Sequence, residues 1–486
     1  MPSASLPFRS ASALARLLRA GKVSARELLE LCWARVEKFN PALNAIVVSD
    51  MRRAREAADA ADRRLTRKEA LGPLDGVPTT IKESFDWSGT PSTWGVPELA
   101  RNIARTDAEA VERLTRAGAV IFGKTNVPLM LADWQSFNAI YGTTNNPWNL
   151  ALSPGGSSGG SAAALAAGLS ALEIGSDIGA SIRNPAHYCG VYGHKPTYGI
   201  VPMRGHLFPG ANAYSDISVG GPLARSAEDL ELAMGLLAGP EGIEARGVRF
   251  SLPKPRARKL KDFRVAMMLT DPESEVDQPL VDRLSALADF LAPRVATFSL
   301  EARPAFTTAE AHETYIMLLR AATSGRQTDA DFAANIEISK RLAPEDRSYF
   351  ARMVRASILP HRAWLSLNHK RHAMRAAWDR FFQDYDVLLC PAAASAAVPH
   401  DQVGERYERT ILVNGRRVPT TDQLFWAGYS GGYYLPSTVA PNGLTDAGLP
   451  VGVQIITAER EDLTSIAFAR LLEREYCAFV PPPGYE

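Results

Sequence analysis

Cysteine is scarce in this chain: Cys32, Cys189, Cys390 and Cys477 stand alone, with no CxxC or finger spacing. That scarcity argues against a disulfide framework or a cysteine zinc site and leaves buried thiols of a reducing compartment. Net charge is nearly absent too, because 54 Lys and Arg face 53 Asp and Glu. No electrostatic case for a nucleic-acid or membrane partner can be built on that balance. No window approaches the ~20 apolar residues of a membrane span, and Arg9, Arg16, Arg19 and Lys22 interrupt any signal-peptide core. These absences point to the cytoplasm. His369 and His372 fall on one face of a predicted helix but lack a third ligand at metal spacing, so no metal is expected.

What is present suits a large enzyme. The 486 residues are 46% hydrophobic, enough to bury a sizeable core. Ser10 and Ser24 read as caps of two N-terminal helices, the second stopped by Asn40-Pro41, and 51–68 reads as a third helix. Residues 43–48, 77–81, 119–122, 387–389 and 451–456 read as strands, and 162–167 as an Ala-rich helix. Residues 245–262 read as a surface connection, and 275–385 as mainly helical. Core-type strands on both sides of a helical insert argue for one α/β domain with a central twisted mixed sheet flanked by helices.

Two motif matches fail on context. Residues 118–125 spell a P-loop, but the strand-like residues lie between its glycines and Asn126-Val127-Pro128 is a poor helix start. Gly155-Gly156-Ser157-Ser158-Gly159 spells the α/β-hydrolase elbow, with His312, His372 or His400 as formal partners. Turn-forming residues, not a strand, precede that serine. The wider block is more telling. Ser153-Pro-Gly-Gly-Ser-Ser-Gly-Gly-Ser161 runs straight into an apolar helix, and a second Gly/Ser cluster follows at 175–181. Such clusters flanking a buried helix suggest tightly packed backbone offering N–H groups, the material of an oxyanion hole.

At these residues the chain resembles the amidase signature family. The Gly/Ser block matches from Pro154 to Ser161 and from Gly175 to Arg183, continuing through Pro185, Cys189-Gly190-Val191 and Gly193 to Thr197. Gly76-Val-Pro-Thr-Thr-Ile-Lys82-Glu83 matches the family's lysine motif, and 386–391 and 448–456 match its C-terminal segments. The resemblance implies residues 1–70 as a helical segment packed on an amidase signature domain, 71–486. Within that domain it implies a signature core at about 76–225, a helical pocket region at about 275–385 and C-terminal elements at 386–486.

The resemblance also implies a site. Ser181 would attack the carbonyl, Ser157 would relay the proton after a cis bond from Gly156, and Lys82 would be the base. The N–H groups of Ile178, Gly179, Ala180 and Ser181 would form the oxyanion hole, organised by Asp177 and Arg183. Lysine serves as a base only when neutral, so Lys82 must be desolvated or set near positive charge. Ser158, Ser161 and Ser176 read as structural hydroxyls. One departure stands out: many family members carry glycine where this chain has Ala180, and a positive φ there would cost about 1–2 kcal/mol.

These readings predict hydrolysis of a linear amide through an acyl-enzyme, with no cofactor, carbamates and esters being further options. A homo-oligomer stays open. Leu129, Met130, Leu131 and Trp134 are expected to line the substrate pocket and favour a hydrophobic or aryl group. The alternative is one component of a glutamine-dependent amidotransferase that works on aminoacyl-tRNA, from which residues 198–209 differ.

Overall fold

The computed structural model describes residues 3–486. Helix Ala11–Arg19 is capped by Ser10, whose side chain accepts from the Ala13 N–H. Helix Ala25–Leu43 opens with a Ser24–Glu27 capping box. That helix runs through Asn40-Pro41, where the sequence predicts its end. Pro41 lies in the last turn, so its missing N–H costs little. The Asn40 side chain then accepts the N–H groups of Ala45 and Ile46 at 2.8 and 2.9 Å, and the chain leaves through Asn44 at φ 50°. The strand predicted from residue 43 therefore begins later, as Ile46–Ser49.

Two sheets, not one, frame the site. The larger has eight strands in the spatial order Thr297–Ser299, Arg264–Met267, Val387–Pro391, Pro450–Ile456, Ser437–Leu444, Tyr192–Lys195, Val219–Ala224 and Glu173–Asp177. Its first three strands are mutually parallel and the remaining pairings antiparallel, which makes it mixed. A three-stranded sheet sets Val120–Thr125 between Ile46–Ser49 and Pro78–Lys82. Lys124, the lysine of the accidental P-loop, lies inside that strand and donates to Ser92 Oγ at 2.9 Å.

The sheets meet along the edge strands Pro78–Lys82 and Glu173–Asp177. Thr80 N–H donates to Ser170 Oγ at 3.0 Å, and its hydroxyl donates to Glu173. This seam brings the end of the lysine strand against the second Gly/Ser cluster. Helix Gly159–Ala166 is buried throughout. A Cβ at Gly160 would collide with the backbone of Asn126, so the glycines here permit close packing and are not a flexible linker. Helix Thr308–Thr323 lies over the site from the predominantly helical region. Among the described residues no helix is long and apolar enough to cross a membrane.

Candidate active site

Strand Pro78–Lys82 is buried along its length and ends with Lys82 wholly enclosed. The Lys82 Nζ lies 2.6 Å from Ser157 Oγ and 3.0 Å from Ser176 Oγ. Ser176 thus touches the lysine, a role its reading as a structural hydroxyl missed. Burial pushes the Lys82 amine down to about 7 against the opposing pull of Asp177 and Glu173. Of the two causes weighed from sequence, desolvation is the one at work. Burial also pushes the Glu173 carboxyl up to about 8, which weakens that opposition near neutrality.

Ser157 follows a cis peptide from Gly156, and no strand leads into it, which disposes of the hydrolase elbow. Ser181 is held beside the pair through backbone: its carbonyl accepts from the Ser158 N–H at 3.0 Å. Among the described residues its hydroxyl makes no hydrogen bond, so the Ser157–Ser181 contact expected from sequence is not closed. Contacts of this kind commonly tighten only around substrate. The side chain lines a narrow cavity and is 5% exposed. Ser158 and Ser161 bond to Ser176 backbone and to Thr125, in keeping with structural roles.

The turn carrying Ser181 is braced from three sides. Asp177 and Arg183 pair at 2.8 Å with both side chains buried. Burial pushes the Asp177 carboxyl up, but Arg183 outweighs it and holds the group below its ordinary value. The Trp134 indole N–H donates to the Gly179 carbonyl at 2.6 Å, and the Tyr315 hydroxyl donates to the Ile178 carbonyl at 3.0 Å. Tyr315 escaped sequence reasoning because it comes from a distant helix.

Ala180 sits at φ 67°, in the left-handed region that favours glycine. Its N–H donates to Asp177 Oδ1 at 2.9 Å. Of the four N–H groups expected to face an oxyanion, that of Ala180 is therefore already engaged.

The cavity beside Ser181 has a volume of about 60 Å³ and is lined by Met130, Leu131, Trp134, Leu319, Leu424 and the 178–179 turn, among others. Leu129, also expected in the pocket, lies apart from this cavity. It is 50% exposed and outside this lining, because the chain reverses at Met130 and Leu131, both at positive φ. The cavity is less apolar than expected, since Arg320, Arg326 and Arg406 also line it. Arg326 is shared with a neighbouring cavity of about 550 Å³ walled by Trp94, Met203, His206 and Phe208. A cavity of about 680 Å³ on the other side of Trp134 contains none of Lys82, Ser157 and Ser181.

A wholly buried lysine thus stands against one serine, beside a second serine carried on a braced turn. Comparisons with known proteins give the family. The Amidase family model matches residues 27–465. The indoleacetamide hydrolase of Bradyrhizobium diazoefficiens is 32% identical over 96% of this chain and 86% of its own length. A glutamyl-tRNA(Gln) amidotransferase component of Deinococcus deserti is 34% identical over 96% of both chains. The crystal structure of a bacterial aryl acylamidase superposes with a TM-score of 0.80 at 25% identity, covering 96% of each chain. This chain belongs to the amidase signature family.

Proposed function

We propose that the protein hydrolyses linear amides with Ser181 as nucleophile, Ser157 as proton relay and Lys82 as base. The observation that carries this reading is the 2.6 Å contact between Ser157 and a wholly buried lysine. A serine hydroxyl attacks poorly unless a neighbour takes its proton. In the forward step Ser181 Oγ bonds to the amide carbon while its proton passes to Ser157, and the Ser157 proton passes to the neutral Lys82 amine. The carbonyl oxygen becomes an oxyanion facing the N–H groups of Ile178, Gly179 and Ser181. Collapse breaks the C–N bond, and the proton returns through Ser157 to the departing amine. Water then repeats the sequence on the acyl-Ser181 ester and releases a carboxylic acid.

The larger cavity walled by Trp94, Met203 and Phe208 offers room for an apolar or aryl part of the substrate. Indoleacetamide hydrolysis by one relative and aryl amide cleavage by a structural neighbour support an aryl amide. Labelling with a fluorophosphonate followed by peptide mapping tests the nucleophile. Ser181 is the expected adduct, and Ser181→Ala should remove both label and amide turnover. An adduct elsewhere, or full turnover in that variant, contradicts the assignment. The similarity to the glutamyl-tRNA(Gln) amidotransferase component keeps a second reading in view. Glutaminase activity that appears only with a co-purifying partner would favour it.

A further inference from the structure

Three arginines converge on the cavity that holds Ser181. Arg320 comes from helix Thr308–Thr323, Arg326 from just beyond it, and Arg406 from the C-terminal part of the chain. The lining holds one carboxylate, Asp133, and Arg409 already pairs with it at 2.6 Å. None of the three cavity arginines pairs with a carboxylate among the described residues. Two have other work: Arg406 donates to the Ala132 carbonyl and, at 3.0 Å, to the Tyr349 hydroxyl. Arg326 stacks over Trp94 at 5.1 Å and donates to the Met130 carbonyl at 3.4 Å. Among the described residues Arg320 lies over the face of Tyr349 at 5.1 Å, and its Nε is buried with no hydrogen-bond partner.

Gathering guanidinium groups in this way is costly. Burial and the neighbouring Arg406 both push Arg320 well below its ordinary value. All three lie deep in the protein yet keep part of their surface accessible, because they face the cavity. Unpaired buried cations persist where something gains from them, and low-dielectric walls focus their field on any anion that enters. A guanidinium fork matches a carboxylate with two parallel N–H donations.

We propose that the preferred amides carry a carboxylate close to the scissile carbonyl, gripped by Arg320 with help from Arg326 and Arg406. This rests on Ser181 being the nucleophile. The anion sits on either the acyl or the amine portion, and one experiment separates the two.

The full-length enzyme is assayed on two matched pairs. Succinyl p-nitroanilide against its 4-oxopentanoyl analogue probes the acyl side. N-acetyl-4-aminobenzoate against N-acetyl-4-aminoacetophenone probes the amine side. In one pair the carboxylate should raise kcat/KM by roughly 10- to 100-fold, as a charge-assisted hydrogen bond provides. Arg320→Gln should bring that ratio close to unity, and Arg320→Lys should restore part of it. Succinate should also raise the Tm of the wild-type protein but not of Arg320→Gln, a readout independent of turnover. A ratio of one or less in both pairs, or a ratio unchanged in Arg320→Gln, overturns the proposal, as does an absence of turnover in both by enzyme whose Ser181 takes the label. Fluorophosphonate labelling of Ser181 in the same preparation tells the two failures apart. Labelled enzyme without a charge preference sinks only the carboxylate, whereas unlabelled enzyme stabilised by succinate sinks only the nucleophile.

Discussion

The indole N–H of Trp134 donates to the carbonyl of Gly179 at 2.6 Å, fixing the turn that precedes Ser181. A peptide carbonyl held on one side of a turn fixes the turn's course, so under the proposed mechanism Trp134 would help to position the oxyanion donors on either side of that peptide as well as wall a pocket. Trp134→Phe keeps most of the packing and removes the donor. Loss of one oriented donor costs 10²- to 10³-fold in other hydrolases, and loss of its brace should cost less, about 10-fold in kcat. Steady-state kinetics should show that fall with KM little changed. A rise in KM with kcat intact would return Trp134 to the role of a pocket wall.

Under the proposed mechanism Lys82 would set the pH dependence. Its amine must be neutral to accept the Ser157 proton, and burial brings it down to about 7. The fraction of neutral amine rises with pH, so kcat/KM should climb about tenfold per unit below that value and level off above it. Lys82→Arg, whose guanidinium cannot deprotonate, should lose both the rate and the titration. A wild-type profile flat down to about pH 5 would contradict a lysine base.

Local signals carried much of this fold. Ser10 and Ser24 announce their helices through side-chain chemistry confined to one turn. The two Gly/Ser clusters were legible because close backbone packing needs glycine wherever it occurs. What escaped was assembled from afar. Nothing near Arg320 or Arg406 in sequence marks them as converging on one cavity, and arginine on a helix ordinarily reads as a solvated face. The separate three-stranded sheet depends on strand pairing, which composition does not encode. The turning of the Ala180 N–H toward Asp177 is likewise a matter of side-chain position, invisible in a motif.

Ala180 invites substitution by glycine, which adopts positive φ without strain. Relieving a left-handed alanine should gain about 1–2 kcal/mol. Against that stand about 0.5–1 kcal/mol of extra backbone entropy and about 0.8 kcal/mol for the lost methyl, which is fully buried. These nearly cancel. Ala180→Gly should therefore shift stability by under about 1 kcal/mol in urea melts and leave acyl-enzyme formation near the wild-type rate, because the N–H stays on Asp177. A large loss of rate with unchanged stability would mean that the methyl shapes the acyl pocket.

Arg183 and Asp177 form the buried pair on which the turn carrying Ser181 hangs. Asp177 accepts the Ala180 and Ile182 N–H groups at 2.9 and 3.1 Å, while Arg183 reaches Gln454 at 2.6 Å and Ser430 at 2.9 Å. Arg183→Met would strand a buried carboxylate, and breaking such a pair costs about 3–5 kcal/mol near neutral pH. The sign of its pH dependence follows from Asp177. In the intact protein its value lies below the ordinary one, so its stabilising effect is present above the unfolded value and fades as pH falls through the folded one. Without Arg183, burial is opposed only by Lys195 and the backbone N–H donors, so the value rises from that of the intact protein and the penalty in the variant shrinks once the carboxyl takes up a proton. Urea melts at about pH 7 and about pH 5 should show the gap between wild type and Arg183→Met narrowing toward acid. An equal gap at both would assign the loss to packing and hydrogen bonds of the guanidinium, leaving the charge of Asp177 without a part in holding the turn.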